Sequence, residues 1–125
     1  MRALLDSNAL LWFIAEPAQL ARRARDILSE DNTEAFVSVA SLWELSIKAG
    51  LGKLTLPPDL LDLIADSELA LLAIEPRHAM RVAHLPRLHG DPFDRLLIAQ
   101  AIIEDLVVVT RDRTFAAYGL PVIPA

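Results

Sequence analysis

Apolar and polar positions fall along the chain in short blocks whose length and period distinguish strands from helices. Residues 3–5, Ala-Leu-Leu, form an apolar run that stops at Asp6-Ser7-Asn8, and any of these three can cap the helix expected over Ala9–Ala15. Pro17 interrupts that helix. Leu20, Ala21, Ala24, Ile27 and Leu28 then recur at helical spacing until the polar stretch Ser29–Glu34 ends a second helix. Ala35–Val39 is short and apolar and reads as a second strand, after which Ser41 is expected to cap a helix carrying Leu42, Trp43, Leu45 and Ile47 down to Gly50 and Gly52. A fourth helix is expected from Pro57-Pro58-Asp59, a third strand within Leu69–Ile74, and a short helix from Pro76 to about Ala83. Gly90–Ala101, GDPFDRLLIAQA, opens the next helix. Leu106–Thr110 is a buried Val-Val-Val strand, and Val122-Ile123 forms a last short one. Strands alternating with helices predict an α/β domain around a parallel sheet.

Composition narrows this picture. A chain of 125 residues without a Gly/Ser/Pro-rich linker is expected to form one domain with one core, spanning residues 1–125. Its hydrophobic content of 54% is high, yet the longest uninterrupted apolar stretches, Ala9–Ala15 and Leu69–Ile74, fall far short of the ~20 residues that span a bilayer. Buried surface shared with a partner is one outlet for that excess. The start MRALLDS lacks the layout of a secretory signal and cysteine is absent, so a cytoplasmic protein without disulfides or thiolate metal sites is expected. A net charge of −5 argues against nucleic-acid binding by a general basic field. Arg22, Arg23 and Arg25 form a local basic cluster, which as a pattern is more often a solvated helix face.

In open parallel sheets the ligand site lies beyond the carboxyl ends of the strands. Asp6 directly follows the first strand, Glu44 sits in the helix after the second, Asp94 opens the helix before the Val-rich strand, and Asp112 lies two residues past that strand. Four carboxylates can therefore meet on one edge. Each also has a structural explanation. Asp6 can cap the first helix, but Ser7 and Asn8 are equally able to, which favours a functional role for Asp6. Glu44 can pair with Lys48 at i,i+4 for only ~0.5 kcal/mol, while its neighbours Leu42, Trp43 and Leu45 imply a buried segment where an acid needs more than one partner. Asp112 in TRDRTF reads, on its own, as a turn or cap residue. In GDPFDR, Pro92 suits the first helical position and places Asp91 at the cap, leaving Asp94 free at the third.

Other candidate chemistries are weaker. His78, His84 and His89 are not spaced i,i+4, no HExxH occurs, and each reads as a surface or loop histidine rather than a ligand. Trp12 and Trp43 read as core or interface. Neither a GxGxxG nor a P-loop nor a GxSxG elbow is present. Collected carboxylates without sulfur suit Mg²⁺ or Mn²⁺, which relieves their mutual repulsion, polarises a phosphodiester and lowers the pKa of water. Ser7 and Thr110 are small hydroxyls placed to orient ligands or water. Arg95 or Arg111 is a candidate phosphate contact.

Four segments, LLDSNALLWF, VSVASLWELSIKAGLGKL, DPFDRLLIAQA and VVVTRDRTF, resemble in order and spacing the motifs of PIN-domain proteins, particularly VapC-type toxins of bacterial toxin–antitoxin pairs. The resemblance runs from Arg2 to about Phe115. It implies a three-layer α/β/α sandwich with a central parallel sheet, a Mg²⁺ or Mn²⁺ site and ribonuclease activity. The family's four acids fall on Asp6, Glu44, Asp94 and Asp112, with Asp6 the expected co-ligand of Asp94. It also implies a homodimer whose groove receives a cognate antitoxin, and a structured RNA such as a tRNA or ribosomal RNA as substrate. Two alternatives remain open at this level. A Mg²⁺-dependent phosphoacceptor domain fits the length, but Asp6 has no acidic neighbour and the last lysine is Lys53; a non-catalytic module on the same fold predicts binding without cleavage.

Overall fold

A computed structural model describes residues 1–125. Strand β1 (Arg2–Leu5) leads into helix α1 (Ser7–Ala15), and a 3-10 turn at Pro17–Gln19 precedes α2 (Arg22–Leu28). β2 (Glu34–Ser38) passes without a loop into α3 (Val39–Gly50), followed by α4 (Leu60–Asp66) and β3 (Ala70–Leu72). The chain continues through α5 (Pro76–Arg81), α6 (Pro92–Glu104), β4 (Val107–Thr110), a 3-10 turn at Arg113–Tyr118 and β5 (Val122–Pro124). All four strand pairings are parallel, in the order β3-β2-β1-β4-β5.

Alternation along the strands builds the layers. Ala3 and Leu5 of β1, Ala35 and Val37 of β2, and Val109 of β4 face one side and pack on Ala9, Leu10, Ala24, Leu28 and Ile64 from α1, α2 and α4. Leu4 and Val108 face the other side against Leu97, Ile98, Ala99 and Ala101 of α6 and Phe115. Because the central strands β1 and β4 are covered on both faces, they read as continuous apolar runs rather than alternating ones. This is the expected three-layer sandwich. No helix is long and apolar enough to cross a membrane.

The topology fixes where a site can lie. From β1 the chain winds outward through β2 to β3, then returns to the opposite side of β1 to lay down β4 and β5. The reversal leaves a crevice beyond the carboxyl ends of β1 and β4, where ligands bind in open α/β sheets. The 3-2-1-4-5 order differs from the 2-1-3-4-5 order of flavodoxin-like phosphoacceptor domains, which removes the topological support for that alternative.

The start of α3 and the placement of His78 differ from expectation. Ser38, not Ser41, caps α3, its hydroxyl accepting the Ala40 N–H at 3.0 Å. Strand meets helix there without a loop, so the last strand residue doubles as the cap. Ser41 is buried inside the first turn, with no partner for its hydroxyl. His78 likewise is not a surface residue. It is fully buried, its Nδ1 accepting the Glu75 N–H (3.0 Å) and its Nε2 lying 2.8 Å from Glu104 of α6, so that it ties α5 to α6.

Candidate active site

Asp6 occupies the first turn after β1 in an extended conformation (φ −73°, ψ 176°) and itself caps α1: Oδ1 accepts the Ala9 N–H at 2.8 Å. The expectation that Ser7 or Asn8 would relieve it of capping is incorrect. A carboxylate has two oxygens, and Oδ2 remains free to accept the Thr110 hydroxyl at 2.5 Å. Ser7, spared from capping, donates to Glu44 Oε1 at 2.5 Å. Glu44 is buried and also meets Lys48 at 3.2 Å, so it has the second partner that its burial demands.

Asp91 caps α6, Oδ1 accepting the N–H groups of Phe93 (2.8 Å) and Asp94 (3.0 Å), with Pro92 in the first turn. Asp94 is left unused by the helix, and its side chain is about one-fifth exposed. Asp112 follows β4, its Oδ1 accepting the Thr114 N–H at 2.9 Å and its own N–H donating to the Thr110 hydroxyl at 3.0 Å. Thr110 thereby links the acids after β1 and β4 through one hydroxyl.

Asp6, Glu44, Asp94 and Asp112 line a single cavity, together with Ser7, Asn8, Lys48, Asp91 and Arg111 and no hydrophobic residue. Five carboxylates there face two cations. Burial raises the pKa of Asp6, with Glu44 and Asp112 adding to the rise and the hydrogen bonds from Thr110 and Ala9 opposing it. Burial first, then the charges of Asp91, Glu44 and Asp6, push Asp94 up to about 7. Burial also pushes Asp112 up, but hydrogen bonds from Thr114 and His89 outweigh it and hold its carboxyl below the usual range. Crowded oxygen donors whose ionised forms repel one another fit a hard divalent cation, which would be held by Asp6, Glu44, Asp94 and Asp112.

His89 is the residue against the acidic cluster whose position the sequence pattern missed. Its Nε2 lies 2.7 Å from Asp112 Oδ2 and 3.1 Å from Asp94 Oδ2, and these three atoms form the tightest grouping of potential ligands in the site, a triplet that does not include Asp6. The only local signal is His89-Gly90-Asp91, where Nδ1 accepts the Asp91 N–H. Arg95 is not placed for phosphate. Its guanidinium is spent on the carbonyls of Val82, Leu85, Pro86 and His89 and on the Tyr118 hydroxyl, clamping the loop before α6. Arg111 does reach the cavity. It lies 4.0 Å over the Trp12 ring and donates to the carbonyls of Ala125 and Gln19.

The PIN domain family model matches residues 3–120. The chain belongs to the PIN domain family. It is 31% identical over 121 residues to Ribonuclease VapC22 of Mycobacterium tuberculosis, covering 94% of this chain and 92% of that protein. Among solved structures, this PIN domain is similar to VapBC2 from Rickettsia felis bound to a DNA fragment from their promoter, with TM-score 0.74, 19% identity and 98% of each chain covered. It is also similar to DNA-bound VapBC from Salmonella typhimurium, with TM-score 0.71, 23% identity and coverage of 98% and 97%. These likenesses establish the sandwich fold expected from the sequence.

Proposed function

We propose that this chain is a metal-dependent endoribonuclease, the toxin of a toxin–antitoxin pair acting in the cytoplasm on a structured RNA such as a tRNA or ribosomal RNA. The observation that carries this reading is the convergence of Asp6, Glu44, Asp94 and Asp112 in one cavity free of hydrophobic residues, at the switch point of a parallel sheet. The names of similar proteins support it: one relative is a ribonuclease, and one solved neighbour is a toxin–antitoxin complex from Klebsiella pneumoniae.

When bound, Mg²⁺ or Mn²⁺ supplies a Lewis acid that polarises a phosphodiester and lowers the pKa of nearby water. The chain's own residues prepare the place. Asp6, Glu44, Asp94 and Asp112 supply the oxygens, the hydroxyls of Thr110 and Ser7 fix the rotamers of Asp6 and Glu44, and Lys48 and Arg111 offer positive charge toward a phosphate. An antitoxin and a second copy of the chain are the proposed protein partners. Val39, Trp43 and Ile47 on the exposed side of α3, with Leu51 just past its end, give such partners apolar surface to cover.

The purified chain, freed of any partner, is expected to cut RNA only with Mg²⁺ or Mn²⁺ and to stop on chelation. Asp94→Asn abolishes cleavage while circular dichroism is unchanged, whereas Asp91→Asn, still an acceptable cap, keeps most of it. Cleavage that survives chelator or Asp94→Asn refutes the assignment.

A further inference from the structure

His89 is immobilised at four points. Its backbone N–H donates to the Tyr118 hydroxyl at 2.9 Å, and its carbonyl accepts from Arg95 at 3.4 Å. Its ring stands edge-on to the fully buried Phe115, centroids 6.1 Å apart, and its Nδ1 accepts the Asp91 N–H at 3.1 Å. A ring nitrogen that accepts an amide N–H carries no proton, so the neutral imidazole bears its proton on Nε2. Nε2 is the atom between Asp94 and Asp112, and with its lone pair tied up as N–H it is a donor rather than a metal ligand.

We propose that His89 is a positioning residue whose Nε2–H holds the Oδ2 atoms of Asp94 and Asp112 together in one orientation toward the cation site. The inference rests on the metal-dependent reading above. The two acids come from different elements, the first turn of α6 and the turn after β4, and like charge drives them apart. His89 is the one ionic or hydrogen-bonding partner of the Asp94 carboxylate, whereas Asp6 and Glu44 have hydroxyl donors of their own. Each of the four acids thus meets a side-chain donor group, Thr110 for Asp6, Ser7 and Lys48 for Glu44, and the shared His89 Nε2–H for Asp94 and Asp112, an arrangement that tunes ligands without touching the ion.

Two full-length variants separate this role from simple loop support. In His89→Asn the side-chain oxygen still accepts the Asp91 N–H but no donor reaches the carboxylates; in His89→Gln an amide N–H reaches them. Calorimetric titration with Mn²⁺ is expected to show affinity falling by about 10- to 100-fold in His89→Asn and by no more than about threefold in His89→Gln. Metal-free thermal midpoints should match the wild type. Unchanged Mn²⁺ affinity in His89→Asn, or an equal loss in both variants, overturns the proposal. Long-range ¹H–¹⁵N NMR on the metal-free wild type reads the tautomer without metal or RNA, so its outcome is independent of the nuclease reading. The Nε2–H pattern is expected, and an Nδ1–H pattern overturns the clamp. Electron spin-echo coupling of bound Mn²⁺ to the His89 nitrogen would make the residue a ligand and overturn it equally.

Discussion

Asp94 concentrates the electrostatic cost of the site. Burial and the neighbouring charges of Asp91, Glu44 and Asp6 raise its pKa from 3.8 to about 7, so the folded chain without metal binds the Asp94 proton more tightly than the unfolded chain does. The stabilisation from that proton is fully present below about pH 4 and is lost as pH rises through 7. Asparagine stays neutral throughout. With chelator present, Asp94→Asn should equal the wild type near pH 4 and exceed it in urea unfolding at pH 8; solvent at the cavity mouth reduces the linkage value to about 1–2 kcal/mol. A variant no more stable at pH 8 removes the repulsion argument for a cation. That Asp91 rather than Asp94 caps α6 was legible because Pro92 marks the first turn and so numbers the positions that follow. His89 was not legible. Its partner Asp112 is 23 residues away, and no local pattern announces a contact made by the sheet's closure.

Elements carry these residues, and a buried polar network sets the angle between two of them. Ser38, the cap of the helix that bears Glu44, donates to Gln100 Oε1 at 2.6 Å, and Gln100 lies on the helix that bears Asp94. The Gln100 amide donates in turn to the Ala73 carbonyl at 3.2 Å. Gln100→Leu leaves the buried Ser38 hydroxyl without its acceptor, and a loss of about 1–3 kcal/mol is expected, with cleavage impaired beyond the loss of folded protein. Urea unfolding measures the first and activity per folded molecule the second; a cost well under 1 kcal/mol means water substitutes for the amide. The strands themselves were readable because two-sided burial demands runs such as Leu106–Thr110. The start of α3 was misplaced for the opposite reason. Where a strand becomes a helix without a loop, no turn residues separate the two, and Ser38 belongs to both elements.

Across the whole molecule, charge is distributed so that one acidic grouping is neutralised from within and another is not. Glu75, His78 and Glu104 also bring potential ligand atoms within 4.8 Å of one another. There, however, both His78 nitrogens are engaged, and Arg77 bridges Glu75 (2.7 Å) and Glu104 (2.5 Å). That cluster needs no external cation. The cavity beyond β1 and β4 keeps five carboxylates against Lys48 and Arg111, so a cation that binds only the folded chain should stabilise the protein through this site. At a concentration of Mn²⁺ 100 times its dissociation constant the gain is about 2.7 kcal/mol, roughly a 10 °C rise in thermal midpoint for a domain of this size. Asp94→Asn should lose most of that rise, while Glu104→Gln should keep it despite a lower starting midpoint. If the two variants exchange these behaviours, the cation sits at α5 and α6 and the acids at the switch point hold something else.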